Sequence, residues 1–193
     1  MSARHPALPI PLPDRWLMTD ERMGDDLWRS LEALPRGAGV VFRHFGTALP
    51  ARRMLFARIL RLARRKGLLL IRAGSERMAG EMGVHGPGRM PAGGIRTWPA
   101  HSRREAVAGA RAGANLIFVS PIFPTRTHPG TPSLGPVRAA LTTNRLGLPR
   151  IALGGMNASH GRRLARLGFH GWAAIDAWQQ PNRRDQKRKA VPI

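Results

Sequence analysis

The stretch Gly113-Ala-Asn-Leu-Ile-Phe-Val-Ser-Pro-Ile-Phe-Pro-Thr-Arg-Thr-His-Pro-Gly-Thr-Pro132 decides how the rest of the chain reads. Leu116 to Val119 is an unbroken apolar run between Gly113 and Pro121. Such a run is expected of a strand buried on both faces of a parallel sheet. Just past its end stand Ser120, Thr125, Arg126, Thr127 and His128, set among prolines. Polar donors at the carboxyl end of a buried parallel strand lie where α/β folds bind ligands. The same residues also suit a Pro-rich surface turn, and the pattern alone leaves both readings open.

Working outward, the same signature recurs on both sides. Upstream runs at 15–19, 39–43, 68–71, 83–85 and 95–100 read as strands, and downstream runs at 150–153 and 171–175 complete eight. Helical spacing appears between them. Leu27, Leu31 and Leu34 line one face of 24–34, and 50–66 places Met54, Leu55, Ile59, Leu62 and Ala63 inward until Gly67 stops it. Ser75 is expected to cap a short helix reaching Glu81. Ser102 caps 102–112 with Glu105 three residues on, as in a capping box. Helices are also expected over 134–146, ended by Gly147, and from an Asn157 or Ser159 cap to Gly168. Between Gly86 and Gly94 the chain is too short and too rich in Gly and Pro, so the fourth helix is shrunken.

Eight strands alternating with helices predict an α/β fold, and the number eight favours a closed (β/α)8 TIM-type barrel over an open doubly wound sheet. The barrel is expected over 14–179, after a Pro-rich arm at 1–13 and before a basic tail at 180–193, both termini disordered. With 193 residues, 42% hydrophobic and 22% charged, the chain has an ordinary globular composition. It contains no cysteine, which excludes disulfides, thiolate metal sites and cysteine nucleophiles. No stretch approaches the roughly 20 apolar residues of a membrane span. The first residues lack the continuous apolar core of a secretory signal, so the cytoplasm is the expected location.

The formal net charge is +21, and arginine supplies nearly all of it. Such a field attracts phosphates and nucleic acid non-specifically. The arginines are spread over most predicted helices without interleaved aromatics, so nucleic acid is not the expected partner. Small phosphorylated substrates are, and a homo-oligomer is left open.

In a (β/α)8 barrel the loops after the strands form the functional face. Those positions include Thr19 and Asp20, Arg43 and His44, Arg72, His85, His101 and Ser102, Gly154 and Gly155, and Asp176. No carboxylates are paired in sequence, and no His-Glu-x-x-His spacing for a metal occurs. Glycines after strand seven, opening a helix, let backbone N–H groups approach a phosphate, although a tight turn asks for glycine too.

Trp16-Leu-Met-Thr-Asp20, Gly83-Val-His85, His101-Ser102, Ser120-Pro-Ile-Phe-Pro-Thr-Arg-Thr127 and Ile151-Ala-Leu-Gly-Gly-Met-Asn157 resemble the thiamine phosphate synthase and TenI family. The resemblance covers most of 15–178, and its Pro-Ile-Phe-Pro-Thr-x-Thr segment is the specific part. It implies a (β/α)8 barrel that joins a pyrimidine diphosphate to a thiazole phosphate and releases pyrophosphate with Mg²⁺. The thiazole-phosphate half would comprise Thr125, Arg126, Thr127, Gly154, Gly155, Ile175 and Asp176. The pyrimidine side would comprise Arg43, Arg72, His85, His101 and Ser102. Arg43, Arg72, Arg126 and His128 could supply positive charge without metal, with Arg43 and His128 in the catalytic role.

This sequence departs from the family on the pyrimidine side. Of Gln-x-Arg-x-Lys only Arg43 remains, between Val41 and Phe45. The Asn-Asp pair after strand three falls at Arg72 and Ala73, and the second metal-binding Asp has no counterpart before Ile95. Pro99 replaces a Ser, and His128 replaces a Lys. No protein carboxylate for Mg²⁺ is identified, so the ion is expected only on substrate phosphates. A divergent synthase is the leading expectation. The alternatives are a relative that binds or tautomerises thiazole phosphate, and a non-enzymatic Arg-rich barrel that binds phosphate or RNA. Against tautomerisation, Ser120-Pro121 follows strand six where such enzymes carry a His.

Overall fold

A computed structural model describes residues 11–124 and 132–178. Eight parallel strands close into a barrel in chain order, each paired with the next and β8 paired with β1. They are β1 (Arg15–Met18), β2 (Gly39–Phe42), β3 (Leu69–Ala73), β4 (Gly83–His85), β5 (Ile95–Ala100), β6 (Leu116–Val119), β7 (Arg150–Ala152) and β8 (Gly171–Ala174). The helices are α1 (Asp26–Ala33), α2 (Leu49–Lys66), α3 (Arg103–Arg111), α4 (Pro136–Thr142) and α5 (Ala158–Ala165). The closed barrel is therefore the correct topology, and the open sheet is not. No helix among the described residues is long and apolar enough to cross a membrane.

Strand alternation sorts the side chains into two layers. Trp16, Met18, Val41, Ile71, Leu116, Phe118, Ile151 and Ala173 fill the barrel interior. Leu17, Val40, Phe42 and Leu70 face α1 and α2 on one flank, while Ile117, Val119, Ala152 and Trp172 face the later helices on the other. Gly39 makes room for the largest interior residue. A Cβ there would lie 2.2 Å from the Trp16 ring, whose Nε1 donates to Pro13 O at 2.8 Å. Leu12 packs against the interior cluster and its carbonyl meets His170 Nε2 at 3.0 Å, so the end of the expected disordered arm is part of the barrel. The remainder of the arm and the basic tail lie outside the described residues.

Two helix expectations change. The 75–81 segment forms bends and turns, so helices are missing between β3 and β4 as well as between β4 and β5. Gly74 and Gly80 break the segment with φ of 90° and 76°. Glu81 turns inward and takes the Met78 N–H at 2.9 Å, an internal cap with no helix to cap. On α2 the buried face centres on Phe56, Ile59 and Ala63, which leaves Met54 65% exposed and brings Arg52 inside.

Candidate active site at the barrel mouth

Asp20 follows β1 on the side of Met18, and Arg43 follows β2 on the side of Val41, so alternation aims both at the mouth. Arg43 Nη2 lies 3.7 Å from Asp20 Oδ2. Arg22 grips the same carboxylate as a fork, Nε to Oδ1 at 2.7 Å and Nη2 to Oδ2 at 2.9 Å. The Arg22 hydrogen bond holds the Asp20 pKa down at about 2, against the opposing effect of burial. Burial lowers the Arg43 pKa while Asp20 supports its charge. Asp176, exposed after β8, adds to the field at Arg22. Thr19 braces the pair from behind, its Oγ1 accepting from Arg43 N at 3.1 Å and meeting His44 Nδ1 at 3.0 Å. His44 is buried and stacked on Phe42, and burial pulls its pKa down.

Across the mouth, His85 ends β4 on the interior side. Its Nδ1 meets Thr97 Oγ1 at 2.8 Å, and its ring stands edge-on to Phe118 at 5.1 Å. Burial lowers its pKa to about 3, with a further push from the Arg43 charge, so it is a neutral imidazole at physiological pH. Pro99 pairs with Phe118 in register and shares its inward side. His101 follows β5 and its Nδ1 sits 2.9 Å from Ser120 O and 3.3 Å from Ser120 Oγ. Ser102 is occupied by its cap, accepting from Glu105 N at 3.3 Å and donating to Glu105 Oε1 at 3.1 Å.

Arg72 is not at the mouth with Arg43. β3 runs on to Ala73, so Ile71 and Ala73 point inward and Arg72 joins Leu70 on the outer side of the wall. Its side chain is fully buried beneath the two helix-less connections. There Nε meets Glu81 Oε2 at 2.5 Å, Nη2 meets Arg89 O at 2.5 Å, and Nη1 meets Gly74 O. The guanidinium ties together the loops that stand where helices would pack.

Gly154 and Gly155 follow β7 with φ of 94° and 61°. Added Cβ atoms would lie 2.8 Å from Pro121 Cα and 2.6 Å from Pro124 O. Phe123 N donates to Gly154 O at 3.2 Å, and Ile122 N to Leu153 O at 2.9 Å. The turn thus needs glycine to let the Pro121–Pro124 backbone approach, whether or not a phosphate does. This packing brings it beside the segment that leads to Thr125. Thr125, Arg126, Thr127 and His128 themselves lie outside the described residues. Ile175 is partly buried and packs against the interior cluster.

Several mouth and near-mouth contacts carry no signal of their own in the sequence. Asp20 and Thr19 organise Arg43. Arg52 is buried over the rings of Phe42 and Phe45, at 5.5 and 5.7 Å, with Nη2 on Ala73 O at 2.8 Å. His160 closes the Gly155 turn, Nδ1 to the carbonyl at 2.9 Å. A protein-held Mg²⁺ does not fit these residues. Asp20 is engaged by Arg22 and Glu81 by Arg72, and the described residues contain no group of three or more His, Cys, Asp or Glu placed for a metal.

Residues 89–178 match the sequence model of the thiamine monophosphate synthase family. The thiamine-phosphate synthase of Methanospirillum hungatei is 34% identical over 74 residues, which is 38% of this chain and 36% of that protein. That of Geobacillus thermodenitrificans is 35% identical over 80 residues, 40% of this chain and 36% of that protein. The matched stretch thus spans little more than a third of these relatives. In fold, the thiamine phosphate pyrophosphorylase of Pyrococcus furiosus superposes with a TM-score of 0.72 at 22% identity, covering 90% of this chain and 91% of that one. The N-acetylmannosamine-6-phosphate 2-epimerase of Clostridium perfringens shares the barrel at a TM-score of 0.59 and 9% identity, covering 100% of this chain and 99% of that one. The family's sequence model thus matches this chain over residues 89–178, the half of the barrel that carries the Gly154-Gly155 turn.

Proposed function

We propose that the barrel acts in thiamine biosynthesis as a divergent thiamine phosphate synthase, joining a hydroxymethylpyrimidine diphosphate to a thiazole phosphate with release of pyrophosphate. The observation that carries this reading is the packing of Gly154-Gly155 on Pro121–Pro124, inside the stretch that matches the family. Glycines that open a helix after a barrel strand leave backbone N–H groups suited to a phosphate, and the sequence next to Pro124 supplies the hydroxyls of Thr125 and Thr127 for the heterocycle attached to it. Arg43 is the residue suited to the departing pyrophosphate, because its head is at the mouth and Asp20 leaves most of its donors available at 3.7 Å. His85 stays neutral in this role and offers shape and a hydrogen bond, not charge.

A second reading, a relative that binds thiazole phosphate without coupling it, is favoured by the lock on Arg72. That residue contributes no positive charge to the mouth, and the described residues hold no group of three or more His, Cys, Asp or Glu placed for a metal. One pair of measurements separates the readings. The protein is incubated with both substrates, with and without Mg²⁺, and assayed for thiamine phosphate, while calorimetry measures thiazole phosphate binding alone. Product formation supports the synthase. Thiazole phosphate binding without product supports the binder, and neither signal overturns both.

A further inference from the structure

The arginines are spread over most helices, and among these α2 presents a run of them on its exposed side. Arg53, Arg58, Arg61, Arg64 and Arg65 are all solvent-exposed on this helix, which contains no acidic residue. Arg53 and Arg65 are separated by about 18 Å along the axis at 1.5 Å per residue. The acids lie off this helix. Asp14, Asp20, Glu21, Asp25, Asp26 and Glu32 supply six of the eleven in the whole chain, and none occurs between Glu32 and Glu76. A coding preference for Arg over Lys leaves charge unchanged and gives no reason for this absence of Asp and Glu.

Folding gives no reason for it either. Arg58 with Arg61, and Arg61 with Arg64 and Arg65, stand at i,i+3 and i,i+4 spacings, where like charges oppose helix formation. Arg53 lies near the positive end of the helix dipole, with no acidic residue in the first turn to offset it. The last-turn cations do complement the dipole, and Lys66 pairs with Glu32 at 3.4 Å. Arg58 also lies over the Trp28 ring at 4.7 Å. Arg53 and Arg61 are left with no such structural explanation. A row of exposed guanidinium groups on a rigid rod complements a phosphodiester backbone, which carries one charge per about 3.4 Å of each strand.

We propose that the outer face of α2 is a docking surface for duplex nucleic acid, held through backbone phosphates without base reading and independent of the barrel mouth. Binding of an arbitrary 20-base-pair DNA duplex is to be followed by fluorescence anisotropy across a salt series. Each phosphate contact contributes about 0.9 to the slope of log affinity against log salt. Replacing Arg53, Arg61 and Arg65 with Gln is expected to flatten that slope by about 2.7. The same three positions changed to Lys should retain it. Arg162 and Arg163 on α5, with Arg166 at its C-cap, changed to Gln remove equal charge from another exposed face and should leave the slope nearly unchanged. Thermal melting of each variant reports its folding, and if the triple Gln variant unfolds the single Arg61→Gln variant carries the test, with an expected flattening of about 0.9. Equal flattening by the α2 and α5 variants would assign binding to net charge and overturn the proposal. So would absence of duplex binding, or competition by polyaspartate as effective as that by DNA at equal charge.

Discussion

Arg72 and Glu81 meet at 2.5 Å on the outside of the barrel wall, with their side chains 0% and 1% exposed. Breaking a buried pair leaves one charge without compensation and costs about 3–5 kcal/mol. Glu81→Gln should therefore destabilise the fold by about that amount in urea denaturation. It should leave ligand affinity at the mouth unchanged for the fraction that remains folded. A stability change within about 0.5 kcal/mol, the range of an ordinary surface substitution, would contradict this account of the helix-less connections.

His85 makes a pH prediction. Burial lowers its pKa in the fold to about 3 from the ordinary 6.5, so below pH 6.5 the unfolded chain takes up a proton that the folded chain refuses. Its contribution to stability is fully present above pH 6.5 and is lost as pH falls towards 3. The slope is at most about 1.4 kcal/mol per pH unit. His85→Asn should flatten the stability profile between pH 6 and pH 4, measured by urea denaturation at each pH. An unchanged profile would place the acid sensitivity on other groups.

The strands were legible because each is a short apolar run bounded by Gly, Pro or charge, and eight such runs in alternation leave few topologies. The inward aim of Arg43 follows from the same reading, because β2 ends where its apolar run ends. Arg72 differs for the converse reason. Its strand continues past the apolar run to Ala73, so Arg72 stays in the alternation and faces outward with Leu70. The Glu81 turn was likewise hidden, since Ser75 looks like a cap and only the buried partner on β3 explains why no helix follows. The pairing of His85 with Thr97 depends on the β4–β5 register, which apolar patterning does not specify.

Gly155 and Gly113 separate strain from crowding. Both have positive φ, 61° and 74°. A Cβ on Gly113 meets nothing within 4 Å, whereas one on Gly155 falls 2.6 Å from Pro124 O. Gly113→Ala should cost only the left-handed penalty of about 1–2 kcal/mol. Gly155→Ala should cost about 1–3 kcal/mol more, the usual range for overpacking. It should also weaken thiazole phosphate binding, because the Pro121–Pro124 segment must shift. Equal destabilisation by the two substitutions would show that the Gly155 turn has room to spare.

Arg43 carries the prediction that bears most directly on chemistry. Its backbone is fixed by Thr19, its head sits 3.7 Å from Asp20, and Arg22 takes the stronger grip on that carboxylate. Arg43 is thus oriented by Asp20 without being consumed by it, which suits a guanidinium that must meet a second anion. If it neutralises departing pyrophosphate, a point charge on a flexible stem cannot replace its planar fork. Arg43→Lys should then lower the rate of thiamine phosphate formation about 10- to 100-fold, equivalent to roughly 1.5–3 kcal/mol for a charged hydrogen bond. Thiazole phosphate affinity should be nearly unchanged, since that ligand is proposed to sit on the β6 and β7 side. Steady-state rates and calorimetry on the same two proteins provide both numbers. Equal rates for wild type and Arg43→Lys would remove Arg43 from the reaction, and a loss confined to thiazole phosphate binding would place it in the other half of the site.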